Sequence, residues 1–218
     1  TVNHIAHPVD TAKKRDLLLH ILSERYQDQI LVFVKTKHLC NRIAEQITKD
    51  GIPALAIHGN KSQGQRLKAL ADFKAGNVRV LCATDVAARG LDIPLLPLVI
   101  NFDMPMVAED YVHRIGRTGR AGANGDAISL VATDEGGLLR AVNRLLKQDI
   151  VLEAKAGFEP TQAMRMDLTP PGRGRPSGHQ APRRKTGQPG HLKSHGMASQ
   201  KPKSAKPSGV WQNRSPKA

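Results

Sequence analysis

Along residues 1–150, short apolar runs alternate with longer segments in which apolar positions recur at helical spacing. Ile30-Leu31-Val32-Phe33-Val34 is the clearest run: continuous, rich in branched side chains and bounded by polar residues. A strand covered on both faces has this pattern, because neither face turns to water. Similar runs predict strands at 54–57, 78–82, 96–101 and 125–131, the last being the final strand. Residues 2–9 alternate weakly and predict a short edge strand that ends near Pro8. A helix is expected over 12–25, capped by Asp10 or Thr11, with Leu18, Leu19, Ile21 and Leu22 as its apolar stripe. Thr36 caps a second helix over 37–50, closed by Gly51. Ser62 and Gln65 have capping-box spacing and start a third through Phe73. A fourth begins near Val107, and a fifth over 134–147 gathers Leu138, Leu139, Val142, Leu145 and Leu146 on one side.

Strands alternating with helices in this way predict an α/β fold: a parallel sheet with helices on both faces. Such sheets bind ligands at the carboxyl ends of their strands. Four polar segments follow predicted strands: Lys35-Thr36-Lys37, His58-Gly59-Asn60, Ala83-Thr84-Asp85 and Asn101-Phe102-Asp103. They place the working surface on one rim.

Composition divides the chain. Beyond Gly157, Pro, Gly, Ser, Gln, Lys and Arg dominate, so the globular part is expected to span 1–157 and a disordered tail 158–218. The tail holds 12 Lys/Arg against 2 Asp/Glu, whereas residues 1–157 hold 21 against 17. A tail of that charge favours polyanions, nucleic acid first and an anionic membrane surface second. Its lone Trp211 either stacks on a base or has no role. The two cysteines, Cys40 and Cys82, lack metal-ligand spacing, and the nine histidines show no zinc pattern; a reducing, cytoplasmic setting is the simpler reading. The longest apolar run, 93–100, is interrupted by two prolines and falls far short of the ~20 residues that cross a bilayer. The first residues have no signal-peptide shape and no initiator Met, as expected of a piece of a longer protein.

The densest chemistry lies in His113-Arg114-Ile115-Gly116-Arg117-Thr118-Gly119-Arg120. Arg117 and Arg120 share a face if the segment is helical, and two guanidinium forks aimed at one spot suit an anion with several oxygens. The alternative is a solvated basic turn. In the second informative segment, residues 83–92, Thr84 offers a hydroxyl and Gly90 an exposed backbone, both suited to a sugar-phosphate chain. Asp92 could accept from a ribose. The alternative there is a loop capped by Asp85 with Arg89 and Asp92 as a local pair.

ATDVAARGLD at 83–92 followed by YVHRIGRTGRAG at 111–122 resembles motifs V and VI of the DEAD-box RNA helicases. LVFVKTK at 31–37 resembles motif IV, Gln63-Gly64-Gln65-Arg66 resembles the family's Q-x-x-R element, and IHGNKSQGQR at 57–66 is most similar to the RhlE group of bacterial members. The resemblance covers residues 1–147 and implies a RecA-like domain, the C-terminal half of a two-domain ATP-driven motor acting on RNA. It implies that Arg117 and Arg120 reach the γ-phosphate of ATP, at least one as an arginine finger. Asp92 would meet the ribose, and His113 would couple the two domains or else be a packed imidazole. Thr36, Gly59, Arg66, Thr84 and Gly90 would hold RNA phosphates and 2′-hydroxyls, though Thr36 equally serves as an N-cap and Gly59 as a turn. The sequence contains no G-x-x-x-x-G-K-[ST] loop and no Asp-Glu-Ala-Asp segment. The family carries both on its N-terminal domain, with the residues that bind Mg2+, so that domain is an expected partner and this chain alone is expected not to hydrolyse ATP. The rival reading is a stand-alone module that binds or anneals RNA without ATP.

Overall fold

The computed structural model describes residues 2–119 and 124–167. In chain order the elements are β1 (Val2–Pro8), α1 (Lys14–Glu24), β2 (Ile30–Phe33), α2 (Lys37–Lys49), β3 (Ala54–Ile57), α3 (Gln63–Lys74), β4 (Val80–Ala83), α4 (Asp85–Ala88), β5 (Leu98–Asn101), α5 (Ala108–Ile115), β6 (Gly125–Val131), α6 (Gly136–Leu146) and β7 (Val151–Leu152). Short 3-10 turns at Thr11–Lys13 and Thr133–Glu135 lead into α1 and α6. The seven strands form one sheet in the order β3-β4-β2-β5-β6-β1-β7, and every pair is parallel. The apolar runs become strands because the sheet is covered on both sides: β2, β4 and β5 are buried at every position. Val32, Cys82 and Ile100 pack under α1 and α2 on one face. Leu31, Leu81 and Val99 pack under α3 and α4 on the other, where α5 and α6 cover Ala127 and Val131. This is the RecA-like α/β arrangement with helices on both faces.

Local signals hold where they were strong. Thr36 accepts from the Leu39 amide at 3.2 Å, a cap worth about 1 kcal/mol. Ser62 and Gln65 form the full capping box, and Gly51 closes α2 at φ 84°. No helix among the described residues is long and apolar enough to cross a membrane.

Three expectations are corrected. First, β1 is not an edge strand: β6 pairs along its whole length, and β7 covers Ile5 and Ala6 on the other side. The two-residue β7, not the 125–131 strand, comes last, and it is too short to show a period in sequence. Second, Asp10 does not cap the helix that follows it; its carboxylate accepts from the Thr161 amide at 3.0 Å and from the Thr161 hydroxyl at 3.2 Å. Third, the chain stays on the domain past Gly157. Phe158 packs on the face covered by α1, with its ring 5.3 Å from that of His20, and the Arg165 amide donates to Thr133 O at 2.9 Å. Gly136 at the start of α6 makes room for this arm, since a Cβ there would sit 2.6 Å from Arg165 O. A few apolar anchors spaced through a polar stretch are enough to dock it, and composition averages them away. Residues 168–218, with Trp211, lie outside the described residues.

Candidate functional site

The four polar segments stand where strands end: Lys35 follows β2, His58 follows β3, Thr84 follows β4 and Phe102 follows β5. Adjacent strands tie them together, with Val34 N donating to Ala83 O and Thr84 N donating to Ile57 O. Beneath this rim lies Arg114, 1% exposed and the largest fully buried side chain among the described residues. Its Nε and Nη2 donate to the two Asp85 carboxylate oxygens at 2.6 and 2.8 Å, and Nη1 donates to Asn101 Oδ1 at 3.0 Å and to Asp103 O at 2.7 Å. The guanidinium lies 5.0 Å from the centroid of the Phe33 ring. One buried cation thus joins β2, α4, the end of β5 and α5. A second buried cation, Lys14, donates to Glu135 at 2.6 Å and to Phe102 O at 2.9 Å. Glu135 in turn accepts from the Met104 and Ala132 amides, while Asp103 accepts from the Lys35 amide.

Arg117 stands half-buried beyond the end of α5. It donates to Leu91 O at 3.0 Å and to Ala88 O at 3.3 Å, so it is paired with carbonyls and with no carboxylate among the described residues. Thr118 locks the turn behind it by donating to Leu96 O at 2.6 Å. Its close approach to β6 explains Gly125, where a Cβ would fall 1.9 Å from Thr118 Oγ1. His113 is 67% exposed, with Nδ1 3.8 Å from Asp110, so it is not a packed imidazole. Arg89 pairs with Asp110, and a shallow depression runs between these groups, lined by Arg89, Asp110, His113, Arg114 and Arg117. Arg120 lies outside the described residues.

Asp92 is exposed at its carboxylate and pairs with Lys74 at 2.6 Å, not with Arg89. The hydrogen bond from Lys74 holds this carboxyl below its ordinary range. Arg89 instead reaches across to α5, because Gly90 at φ 74° turns the chain between the two side chains.

Of the residues expected to meet RNA, Thr84 opens the 84–92 segment, Arg66 reaches its middle, and Gly90 lies near the Asp92 end. Arg66 donates to Ala87 O at 3.0 Å, which binds α3 to α4, and its Nε is buried without a partner among the described residues. The Thr84 side chain makes no capping bond to α4, so its hydroxyl is not used by the helix it precedes. Gly90 is exposed with open space around its α-carbon, and so is Gly59. Thr36 caps α2 at the neighbouring strand end.

Sequence reasoning gave no individual role to Arg114, Asn101, Asp110, Lys14 or Glu135. The Asn101 amide oxygen shares the Arg114 guanidinium with the Asp85 carboxylate. The signal for Arg114 was in the helical spacing. Tyr111, Arg114 and Ile115 fall at i, i+3 and i+4, so the arginine lies on the apolar face of α5, and all three are buried. A buried arginine needs a carboxylate, and Asp85 was an available partner. Among the described residues, no three His, Cys, Asp or Glu side chains converge to hold a metal ion.

Residues 13–122 match the helicase conserved C-terminal domain. Among curated proteins, the chain is 44% identical to DEAD-box ATP-dependent RNA helicase 30 of Arabidopsis thaliana over 68% of its own length and 25% of that protein. It is 43% identical to ATP-dependent RNA helicase DBP2 of Candida glabrata over 78% of its length and 31% of that protein. Among solved structures, it superposes on the DEAD-box protein SrmB of E. coli, bound there to regulator of ribonuclease activity A. The TM-score is 0.71 at 36% identity, covering 76% of this chain and 98% of that one. A DEAD box protein of Methanococcus jannaschii matches with a TM-score of 0.67 at 39% identity, over 70% of this chain and 42% of that one. The fold and rim define a helicase C-terminal domain, and the chain belongs to that family as a DEAD-box member. It spans 25% and 31% of the length of the two curated relatives.

Proposed function

We propose that this domain is the C-terminal half of an ATP-dependent RNA helicase, and that it completes a nucleotide site whose other wall is an N-terminal RecA-like domain. The observation that carries the reading is the course of residues 84–92. They start at Thr84, beside the end of β3, pass Asp85, which Arg114 pins to α5, and Ala87, whose carbonyl Arg66 holds, and run on to Ala88 and Leu91, whose carbonyls Arg117 holds, and to Asp92. A displacement felt at one end is therefore delivered to the other.

On the nucleotide side, Arg117 and Arg120 would meet the γ-phosphate, Asp92 the ribose, and exposed His113 the partner domain. Arg117 fits this role because no described carboxylate forms an ion pair with it and its hydrogen bonds go to carbonyls. A phosphoryl group gaining charge in transfer outcompetes those carbonyls for the guanidinium. The Mg2+ and the primary phosphate cradle belong to the N-terminal domain. On the RNA side, Thr36, Gly59, Arg66, Thr84 and Gly90 would grip phosphates and 2′-hydroxyls, so binding is largely independent of base sequence. ATP and RNA both favour the closed pair of domains, and closure strains the duplex until one strand leaves. The stretch 57–66 supports an RhlE-like bacterial member, the two free, buried cysteines support a reducing, cytoplasmic setting, and the basic residues after 167 add RNA affinity without specificity.

The test uses the purified chain with single-stranded RNA and ATP. Expected are RNA binding that weakens steeply with salt, a flatter salt dependence once 168–218 are deleted, and no RNA-stimulated ATP hydrolysis. Hydrolysis by this chain alone would overturn the division of labour between domains.

A further inference from the structure

The sheet has one end that nothing in the described fold covers. β3 is its first strand and pairs with β4 alone. Along a parallel pair, alternate residues turn their main-chain groups toward the neighbour. Pro53 O accepts from Val80 N and Ile57 O accepts from Thr84 N, so Leu55 shares that side and Ala54 and Ala56 face outward. The Thr48 hydroxyl occupies Ala54 O at 3.2 Å. Ala56 is left with its amide and carbonyl directed away from the sheet.

Two grooves flank this edge. One, about 300 Å³, lies on the α3 side and is lined by Leu55, Lys61, Lys68 and Asp72. The other, about 340 Å³, lies on the α2 side and is lined by Ala44, Thr48, Lys49 and Ala56. Lys61 borders both. Leu55 and Ala56 are half-buried and point into opposite faces of the sheet, as successive residues of a strand must. An added strand would set its own alternating side chains into the same two grooves.

We propose that the free edge of β3 is a docking site for an extended, acidic peptide segment of a partner protein, which adds to the sheet as a further strand. Only another polypeptide offers the alternating amides and carbonyls that Ala56 requires, which disfavours a nucleic acid. The charge selects the peptide. Lys49, Lys61 and Lys68 line the grooves against Glu45 and Asp72, and none of the three lysines pairs with a described carboxylate. Lys61 and Lys37 add positive charge beside buried His58, whose pKa burial and these lysines depress. Because β3 runs into His58 and Gly59, a peptide seated here ends beside the RNA side of the rim.

The test selects binders to the full chain from a random peptide library displayed on phage and measures amide exchange with the synthetic winners bound. The expected winners alternate apolar residues with Asp or Glu, slow exchange at the Ala56 amide, and bind about tenfold more weakly to the Lys61→Glu/Lys68→Glu double variant. A second variant, Ala56→Pro, removes the outward amide and abolishes binding while the Arg66–Ala87 contact stays untouched. Basic winners, winners that leave Ala56 exchange unchanged, or an absence of winners each overturn the proposal. So does protection of the Ala56 amide by oligouridylate, which would give the edge to RNA.

Discussion

Replacing Arg114 with methionine should cost this domain a large part of its stability. The side chain is 1% exposed, and methionine roughly conserves its volume, so the loss is mainly electrostatic. The substitution strands Asp85, whose carboxylate is 24% exposed and whose oxygens lose bonds of 2.6 and 2.8 Å, and it leaves Asn101 Oδ1 and Asp103 O short of a donor. Removing one partner of a buried pair costs about 3–5 kcal/mol. Domains of this kind hold about 5–15 kcal/mol in total. In urea, with a slope of about 1–3 kcal/mol per M, the midpoint should fall by at least about 1 M. Asp85→Leu alone should be similarly damaging, because it leaves the guanidinium buried without its carboxylate. The double variant Arg114→Met/Asp85→Leu should recover at least about 1 kcal/mol relative to the sum of the two, since neither charge then remains. Equilibrium unfolding of all four proteins measures this. A loss below about 1 kcal/mol for Arg114→Met, or strictly additive effects, would refute the claim that this pair holds the 84–92 segment to α5.

Two further outcomes follow from the same geometry. Gly136→Ala places a Cβ 2.6 Å from Arg165 O and 2.8 Å from the Met164 side chain, so it should release the arm; hydrogen exchange across 158–167 should accelerate while that of β2 stays slow. His58 is buried, with Nε2 donating to Asn41 Oδ1 at 2.9 Å and Nδ1 accepting from the Asn60 amide, an arrangement that requires the neutral ring. Burial first, then Lys61 and Lys37, hold its pKa below the ordinary 6.5, and burial does the same to His4. The stability they contribute is complete above that value and is lost as pH falls through the depressed one. Melting temperatures should therefore drop on the acid side, and His58→Gln should flatten that drop; an unchanged slope would remove His58 from the account.

The parts of the fold legible in the sequence were those with local causes. Thr36 and the Ser62–Gln65 box mark helix starts because the cap is built within a few residues. β2 and β4 stand out because burial on both faces leaves unbroken apolar runs. What escaped was set by distant partners. β7 exists only because β1 offers it a side, and α4 is a single turn held by Arg114 and Arg66 from other helices. Arg89 and Asp92 look like neighbours in sequence, yet the turn at Gly90 sends one to Asp110 and the other to Lys74. The arm after Gly157 docks through Phe158, Thr161 and Met164, anchors too sparse to alter composition.

The most direct test of the nucleotide-site reading is made on the proposed two-domain enzyme, this chain joined to an N-terminal RecA-like domain, carrying Arg117→Ala or Arg120→Ala. RNA-stimulated ATP turnover and ATP affinity are measured side by side. Guanidinium groups that act on the γ-phosphate during transfer predict a loss of turnover of about 10³-fold or more with ATP affinity changed far less. Turnover that survives while ATP affinity collapses would contradict the account.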